Sequence, residues 1–342
     1  MQMLTKFEAM RLILLITLLF SFSLSNSQTI KGFVYDSKTK EALINANVYF
    51  NGTFKGTTTD TQGYFALYDP DNSRHTLVIS SLGYMSNIIV DYQFEHLLQV
   101  FLEPKTFDIN EILVVYDKTI SEKLRKAGIK KFKKEFLGNN YNARKCKILN
   151  MEDILFQQDE EQNTFSAYAR KPILIENEAL GYTITYHLDS FIKTDTMLYY
   201  QGAHFFVDKP SKRKRINKKI EKRRISTYSG SRMHFFRSLY SESLGTDKFI
   251  LRDSSESSIP CQIYLSDTLG PIRYFYPGTE TSYVYFPEQD NSFNFLVTYM
   301  RMSGDSVLIS NKGYFDPRYI TFWGKSSKER IGDLLPFEFV LE

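Results

Sequence analysis

Residues Ile30 to Leu67 read IKGFVYDSKTKEALINANVYFNGTFKGTTTDTQGYFAL, and their period decides the fold class. In the first piece Ile30, Gly32 and Val34 fall on one side, while Lys31, Phe33 and Tyr35 fall on the other. Farther on, Ala46, Val48 and Phe50 alternate with Asn47 and Tyr49. Strand side chains point to opposite faces in turn, so a period of two predicts half-buried strands and not helices. The pattern continues through GYFALYDP, HTLVISSLGY and LLQVFLEP, with Gly52, Gly56, Gly63 and Gly83 between the pieces. Short alternating strands with frequent turn residues predict an antiparallel β-sandwich.

Two motifs inside this stretch have a chemical reading and a plainer one. Thr59-Asp60-Thr61-Gln62-Gly63 offers a carboxylate and carbonyls of the kind calcium takes. Calcium loops gather several acids, so a turn is expected instead, with Asp60 bonding its own backbone and Gly63 at positive φ. Asn51-Gly52-Thr53 has the spacing of a glycosylation acceptor but reads more simply as the tip of a hairpin.

The order of the pieces resembles the carboxypeptidase-D regulatory-like domain of exported proteins from Bacteroidetes-type bacteria. The matching residues are Gly32, Val34 and Asp36, then Ala46 and Val48, Gly56-Thr57, Thr59-Asp60 with Gly63 and Phe65, and Ser81 with Gly83-Tyr84. The resemblance covers 29–104 and implies a transthyretin-like, seven-stranded fold. It implies no peptidase: a zinc carboxypeptidase needs His-x-x-Glu and a further His, and none of His75, His96, His187, His204 and His234 has Glu three positions on. No cofactor or metal is expected.

Working outward to the N-terminus, Lys6 and Arg11 precede an apolar run from Leu12 to Leu24, and Ser25-Asn26-Ser27 follows. A positive front, a short apolar run and small residues form a secretory signal peptide over 1–27. The run is shorter than the roughly 20 residues a membrane span needs. Export to the periplasm, outer-membrane surface or exterior is the expectation. Export permits a disulfide, but Cys146 and Cys261, the two cysteines, do not establish one.

The rest divides into a connector, 105–138, and a larger β-rich α+β domain, 139–342, so the chain as a whole is expected to be mainly β. In the connector Ile112–Val115 reads as a strand. Thr119 and Glu122 then form a capping box for a helix whose apolar stripe runs Ile120, Leu124, Ala127, Ile129, Phe132, Phe136, with Gly138 as its stop. Its seven lysines and arginines are expected in water, with the stripe packed on a neighbouring domain. In the larger domain Tyr182, Ile184, Tyr186 and Leu188 alternate with Thr183, Thr185, His187 and Asp189. TMLYYQGAHFFVDKP, QIYL, SYVYF, SFNFLVTY, SVLISNKGYFD and YITFWGK add strands. Ser231 caps a helix on which Met233, Phe236 and Tyr240 share a face. ILNMEDI, ARKPILIENEALGYTITY, YSGSRMHFFRSL and ERIGDLLPFEF resemble the region that follows the sandwich in the same exported family, to which no reaction attaches.

No nucleophile elbow, phosphate loop or dinucleotide fingerprint occurs. The weak polar-site candidates are His234 and Arg237, one helical turn apart, placed to stabilise an anion or move a proton, or else a structural pair at a domain edge. Glu176, Asp189 and Asp333 are the carboxylates considered with them. The charge points elsewhere. Lys209–Arg224 holds ten Lys or Arg and one acid, Glu221, whereas the whole chain is only +4. The remainder is therefore acidic, and the protein is not a generally cationic nucleic-acid binder. Lys212, Arg213, Lys214, Arg215, Lys218, Lys219, Lys222, Arg223 and Arg224 are the candidate anion-binding residues. Like charges this dense predict a hydrated, extended loop between a strand ending near Val207 and a segment entering at Ile225.

Three functional classes are compatible with these features. The leading one is a non-catalytic, exported cell-envelope protein that binds or scaffolds, with the sandwich as interaction module. Its partners are an envelope protein, an outer-membrane transport complex or a surface polysaccharide. The second is a hydrolase with a cleft in the larger domain. The third is a peripheral binder of anionic lipid or glycan through 209–224. Converging His and carboxylate groups in a concave pocket distinguish the second, and salt-sensitive binding the third.

Overall fold

The computed structural model describes residues 29–69, 75–90, 92–94, 96–105, 122–159, 161–253, 272–276, 281–288 and 291–341. The expected signal peptide, the connector strand Ile112–Val115, Thr119 of the capping box, Cys261 and the QIYL strand lie outside the described residues.

Seven strands form the N-terminal unit: β1 Thr29–Asp36, β2 Asn47–Phe50, β3 Gly56–Thr58, β4 Tyr64–Tyr68, β5 Leu77–Ser80, β6 Asn87–Ile89 and β7 Leu97–Leu102. They make two facing sheets, β4-β1-β7 and β3-β2-β5-β6. Ile30, Val34, Val48, Phe50, Phe65, Leu77, Ile79 and Val100 close the core between them. The expected alternation of β1 holds, with Ile30, Gly32 and Val34 inward. One expectation is corrected: β1 and β7 pair in parallel. The chain leaves β6 in one sheet and crosses to the other, so β7 arrives in the same direction as β1 and not as its hairpin partner. Gly32 sits at this contact, where a Cβ would stand 2.6 Å from the Leu98 carbonyl oxygen and 2.8 Å from the Phe65 ring. The Thr59–Gly63 segment is the expected turn: Asp60 Oδ1 accepts from the backbone N–H of Gln62 at 2.8 Å and Tyr64 at 2.9 Å, and Gly63 has φ +74.

The next sheet is six-stranded, from β8 Cys146–Ile148, β9 Ile154–Asp159, β10 Thr164–Ala169, β11 Ile173–Asn177, β12 Tyr182–Lys193 and β13 Leu198–Asp208, in the order β8-β11-β12-β10-β9 with β13 also on β12. Tyr182, Ile184, Tyr186 and Leu188 face its core, as their alternation predicts. Helix α1, Glu122–Leu137, packs Phe132 and Phe136 into the same core, and Gly138 ends it at φ +100. The packed face is rotated from the expected stripe. Leu124 is exposed, while Gly128 lies against the Phe156 ring and Arg125 donates to the Met151 and Ile154 carbonyls. A bulky ring on β9 selects the small residue at 128, so glycine and an arginine stem take the place of Leu124 and Ala127.

Beyond the short helix α2, Tyr141–Arg144, the chain adds helices α3, Lys214–Tyr228, and α4, Arg232–Tyr240, and six more strands: β14 Ile250–Asp253, β15 Ile272–Phe275, β16 Thr281–Glu288, β17 Asn291–Met302, β18 Val307–Ser310 and β19 Ile320–Gly324. These form the sheets β14-β16-β17-β19 and β15-β18, with Phe235, Phe236 and Leu239 of α4 in their core. Ser231 caps α4 as expected, accepting from the His234 N–H at 3.1 Å, although the buried face is Phe235, Phe236 and Leu239, with Met233 and Tyr240 only packed at its margins. The fold is mainly β, with a sandwich ahead of a larger β-rich unit.

The two units are locked together. The hairpin tip Asn51–Phe54 pairs with the β13 edge: Gly52 N–H donates to His204 O at 2.7 Å and Phe206 N–H to Thr53 O at 2.9 Å. The C-terminal segment closes the other side of the tip, with Phe337 N–H donating to Gly52 O at 2.8 Å. Asn51-Gly52-Thr53 is thus a buried turn: Asn51 Oδ1 accepts from His204 N–H and Thr53 is fully buried.

Candidate functional site

The basic run is not an extended loop. From Lys214 onward it is helix α3, which corrects the expectation drawn from charge density alone. The reason is an inward row that repeats every four residues. Ile220 and Tyr228 are buried. Between them Arg224 donates through Nε to Leu180 O at 2.7 Å, pairs with Asp208 at 2.7 Å, and lies 3.9 Å over the Tyr182 ring. One of the candidate anion binders is therefore spent on anchoring the helix. Arg223 is half-buried, 4.2 Å over the Tyr141 ring of α2. Lys209, ahead of the helix, pairs with Glu176.

Seven candidates remain in water: Lys212, Arg213, Lys214, Arg215, Lys218, Lys219 and Lys222 are all exposed. At 100° per residue, Lys214, Lys218, Lys222, Arg215 and Lys219 occupy the arc opposite Ile220, Arg224 and Tyr228. Ile225 lies within that arc and is 44% exposed. The structure therefore brings the basic residues together as one helical face.

His234 and Arg237 are placed differently. His234 Nδ1 accepts from the Gly230 N–H at 3.1 Å. Its ring packs between Tyr228 at 4.7 Å and Phe249 at 4.8 Å, and burial lowers its pKa. Every guanidinium nitrogen of Arg237 is committed to a carbonyl: Nε to Lys312 O at 3.0 Å, Nη1 to Phe339 O at 2.6 Å and Nη2 to Phe337 O at 3.1 Å. These contacts tie the C-terminal segment to α4. The associated carboxylates are likewise dispersed, with Glu176 on Lys209 and Asp333 accepting from Asn140 and Asn142. Among the described residues no group of three or more His, Cys, Asp or Glu is arranged to hold a metal ion.

A cleft of about 500 Å³ opens between the sandwich and the β15-β18 pair, with His75, Thr76, Tyr274, Tyr314, Arg318 and Tyr319 among its walls. Asp316 on its wall is bound twice by Arg318, which, with a backbone N–H, holds its pKa down against the desolvation that would raise it. It is therefore a fixed acceptor and not a proton donor.

The outer face of β4-β1-β7 is the other candidate surface. Tyr64 and Phe33 meet at 5.3 Å between centroids, Phe33 and Tyr35 at 6.1 Å, and Tyr35 and Phe101 at 5.5 Å. Tyr68, Leu97 and Phe101 on this face are exposed. The opposite sheet of the sandwich is covered: Tyr49 and Val78 are buried against Ala203, with Phe205 packed beside them.

Residues 30–114 match the model of the CarboxypepD_reg-like domain. The sandwich is thus a CarboxypepD_reg-like domain, and the match runs past β7 into the connector. No curated protein matches the chain.

Sequence reasoning found the basic residues and missed their helix, although Ile216, Ile220 and Tyr228 at multiples of four signal one. The aromatic row was legible as the outward set Phe33 and Tyr35 of β1. Its partners Tyr64 and Phe101 required the strand order.

Proposed function

We propose that the protein is a non-catalytic, exported cell-envelope binding or scaffolding protein in which the CarboxypepD_reg-like domain is the interaction module. One observation carries this reading. The domain is fixed to the larger unit through one sheet while the other presents a row of aromatic side chains outward. Contiguous exposed apolar surface on a folded protein marks a contact site, and aromatic residues are enriched in such contacts. An envelope protein or a surface polysaccharide suits the row, since both offer apolar faces to aromatic rings. His234, Glu176, Asp316 and Asp333 are held in structural contacts, which favours binding over hydrolysis.

The test is site-specific photo-crosslinking from position 101 in intact cells, beside fractionation of the full chain. The expected outcome is an envelope location and a crosslink to an envelope component that is lost in Phe33→Asp. A cytoplasmic location, or crosslinks unaffected by Phe33→Asp, would overturn the reading.

A further inference from the structure

Helix α3 carries its charge in an arrangement that works against its own stability. Lys214, Lys218 and Lys222 stand four residues apart, and so do Arg215, Lys219 and Arg223. Residues four apart on a helix are neighbours, and like charges there repel. Lys212, Arg213, Lys214 and Arg215 crowd the N-terminal end, where the peptide dipoles already present positive charge. Arg213 at the N-cap provides no side-chain hydrogen bond. The exposed lysines and arginines have no ion-pair partner among the described residues, and the helix contains one acid, Glu221. A local conflict of this kind, uncompensated within the fold, is expected at a functional surface.

We propose that the outer face of α3 docks the protein on an anionic lipid bilayer, with phosphate-bearing headgroups among Lys214, Lys218 and Lys222 and Ile225 directed into the headgroup layer. The cations are spread along a 15-residue helix and do not converge on a point, which fits a surface and not a single phosphate. Ile225 within the arc, exposed, favours lipid over a soluble acidic glycan. The buried row of Ile220, Arg224 and Tyr228 keeps the face turned outward. Arg223 over Tyr141, and Asn142 Nδ2 donating to Thr227 Oγ1 at 2.9 Å, join α3 to α2, where Arg144 and Lys145 are also exposed. The docking is independent of the role proposed for the sandwich.

The test is co-sedimentation of the full chain with phosphatidylglycerol–phosphatidylcholine vesicles and with pure phosphatidylcholine vesicles, beside a soluble polyanion, polygalacturonate. Wild type is expected to partition onto the anionic vesicles and to release at about 0.5 M salt, where the screening length falls to a few ångströms. At about fivefold per cation, Lys214→Gln/Lys218→Gln/Lys222→Gln lowers vesicle affinity roughly 100-fold. Its melting temperature should stay at or above that of wild type, because the changes are exposed and remove repulsion. Ile225→Ser is expected to weaken vesicle binding a few-fold and leave polygalacturonate binding unchanged. Equal partition onto both vesicle types, a triple variant that binds as wild type does, or binding to polygalacturonate without vesicle binding would each overturn the proposal.

Discussion

Tyr49 of the sandwich stacks on His187 of β12, with ring centroids 5.8 Å apart. Tyr49 also meets Phe205 of β13 at 4.9 Å, and Ser80 Oγ lies 3.4 Å from His187 Nε2. Both residues come from the faces of their strands that point away from their own cores. The junction therefore turns two nominally outer faces into an interior, and it fixes the direction in which the aromatic sheet of the sandwich looks.

Tyr49→Ala is expected to loosen this junction while leaving each unit folded. Truncating a fully buried aromatic side chain costs about 3 kcal/mol or more, and the loss falls on the contact between units. Limited proteolysis should expose sites near the hairpin tip Asn51–Phe54, and thermal unfolding should split into two steps. A single, unshifted transition would show that the junction is held elsewhere.

The junction also explains what was legible in the sequence and what was not. The alternation of Ile30, Gly32 and Val34 is set by one strand and its own core, so it could be read directly. Tyr49 looked like an outward residue opposite Val48 and Phe50, yet it is 2% exposed. Its burial depends on a strand more than 130 positions later, and no local period reports that. The same holds for α3. Charge density was read as solvation over the whole run, but a helix needs only one buried edge, and Ile220, Arg224 and Tyr228 provide it. For Arg237 the sequence showed a polar residue one turn from a histidine. Only the returning C-terminal segment reveals that its donors are already used.

Acid should weaken the fold in a defined window. Burial lowers the pKa of His187 and of His204 to about 4, from the ordinary 6.5, and for His187 the Lys105 charge acts in the same direction. Below pH 6.5 the unfolded chain takes up protons that the folded chain does not, so stability is full above that value and is lost as pH falls towards 4. Each histidine contributes on the order of 3 kcal/mol at full shift. Asp189, raised by burial, works in the opposite sense, so the difference between wild type and His204→Gln is the quantity to measure. Denaturant unfolding at pH 7.5 and 4.5 should show wild type losing more stability than the variant. Equal losses would remove His204 from the account.

Arg237→Met is expected to release the C-terminal segment. Three carbonyls lose a charged donor at once, and each such hydrogen bond is worth about 1.5 kcal/mol or more where water does not replace it. A total of about 3 kcal/mol is expected, after allowance for rehydration of the freed carbonyls. Hydrogen exchange should accelerate at Phe337, whose N–H is held by Gly52 O, before the six-stranded sheet is affected. Arg237→Lys should rescue little, since an ammonium cannot reproduce the planar spread of donors. Full rescue by lysine would mean that charge alone matters there.

Lys218→Glu separates the structural from the docking role of α3, because the two are expected to move in opposite directions. The change removes two like-charge contacts, with Lys214 and with Lys222, and replaces them by attractive pairs at the same spacing. At about 0.2–0.5 kcal/mol for each pair, the helix should gain roughly 1 kcal/mol, seen as slower hydrogen exchange over 214–228. The same substitution places a negative charge in the middle of the outer face and, as a change of two charge units, should weaken binding to anionic vesicles roughly 25-fold. A helix retained only for packing would show the first effect and have no binding to lose. Greater stability with weakened binding is the signature of a surface whose charge is kept for a partner and not for the fold.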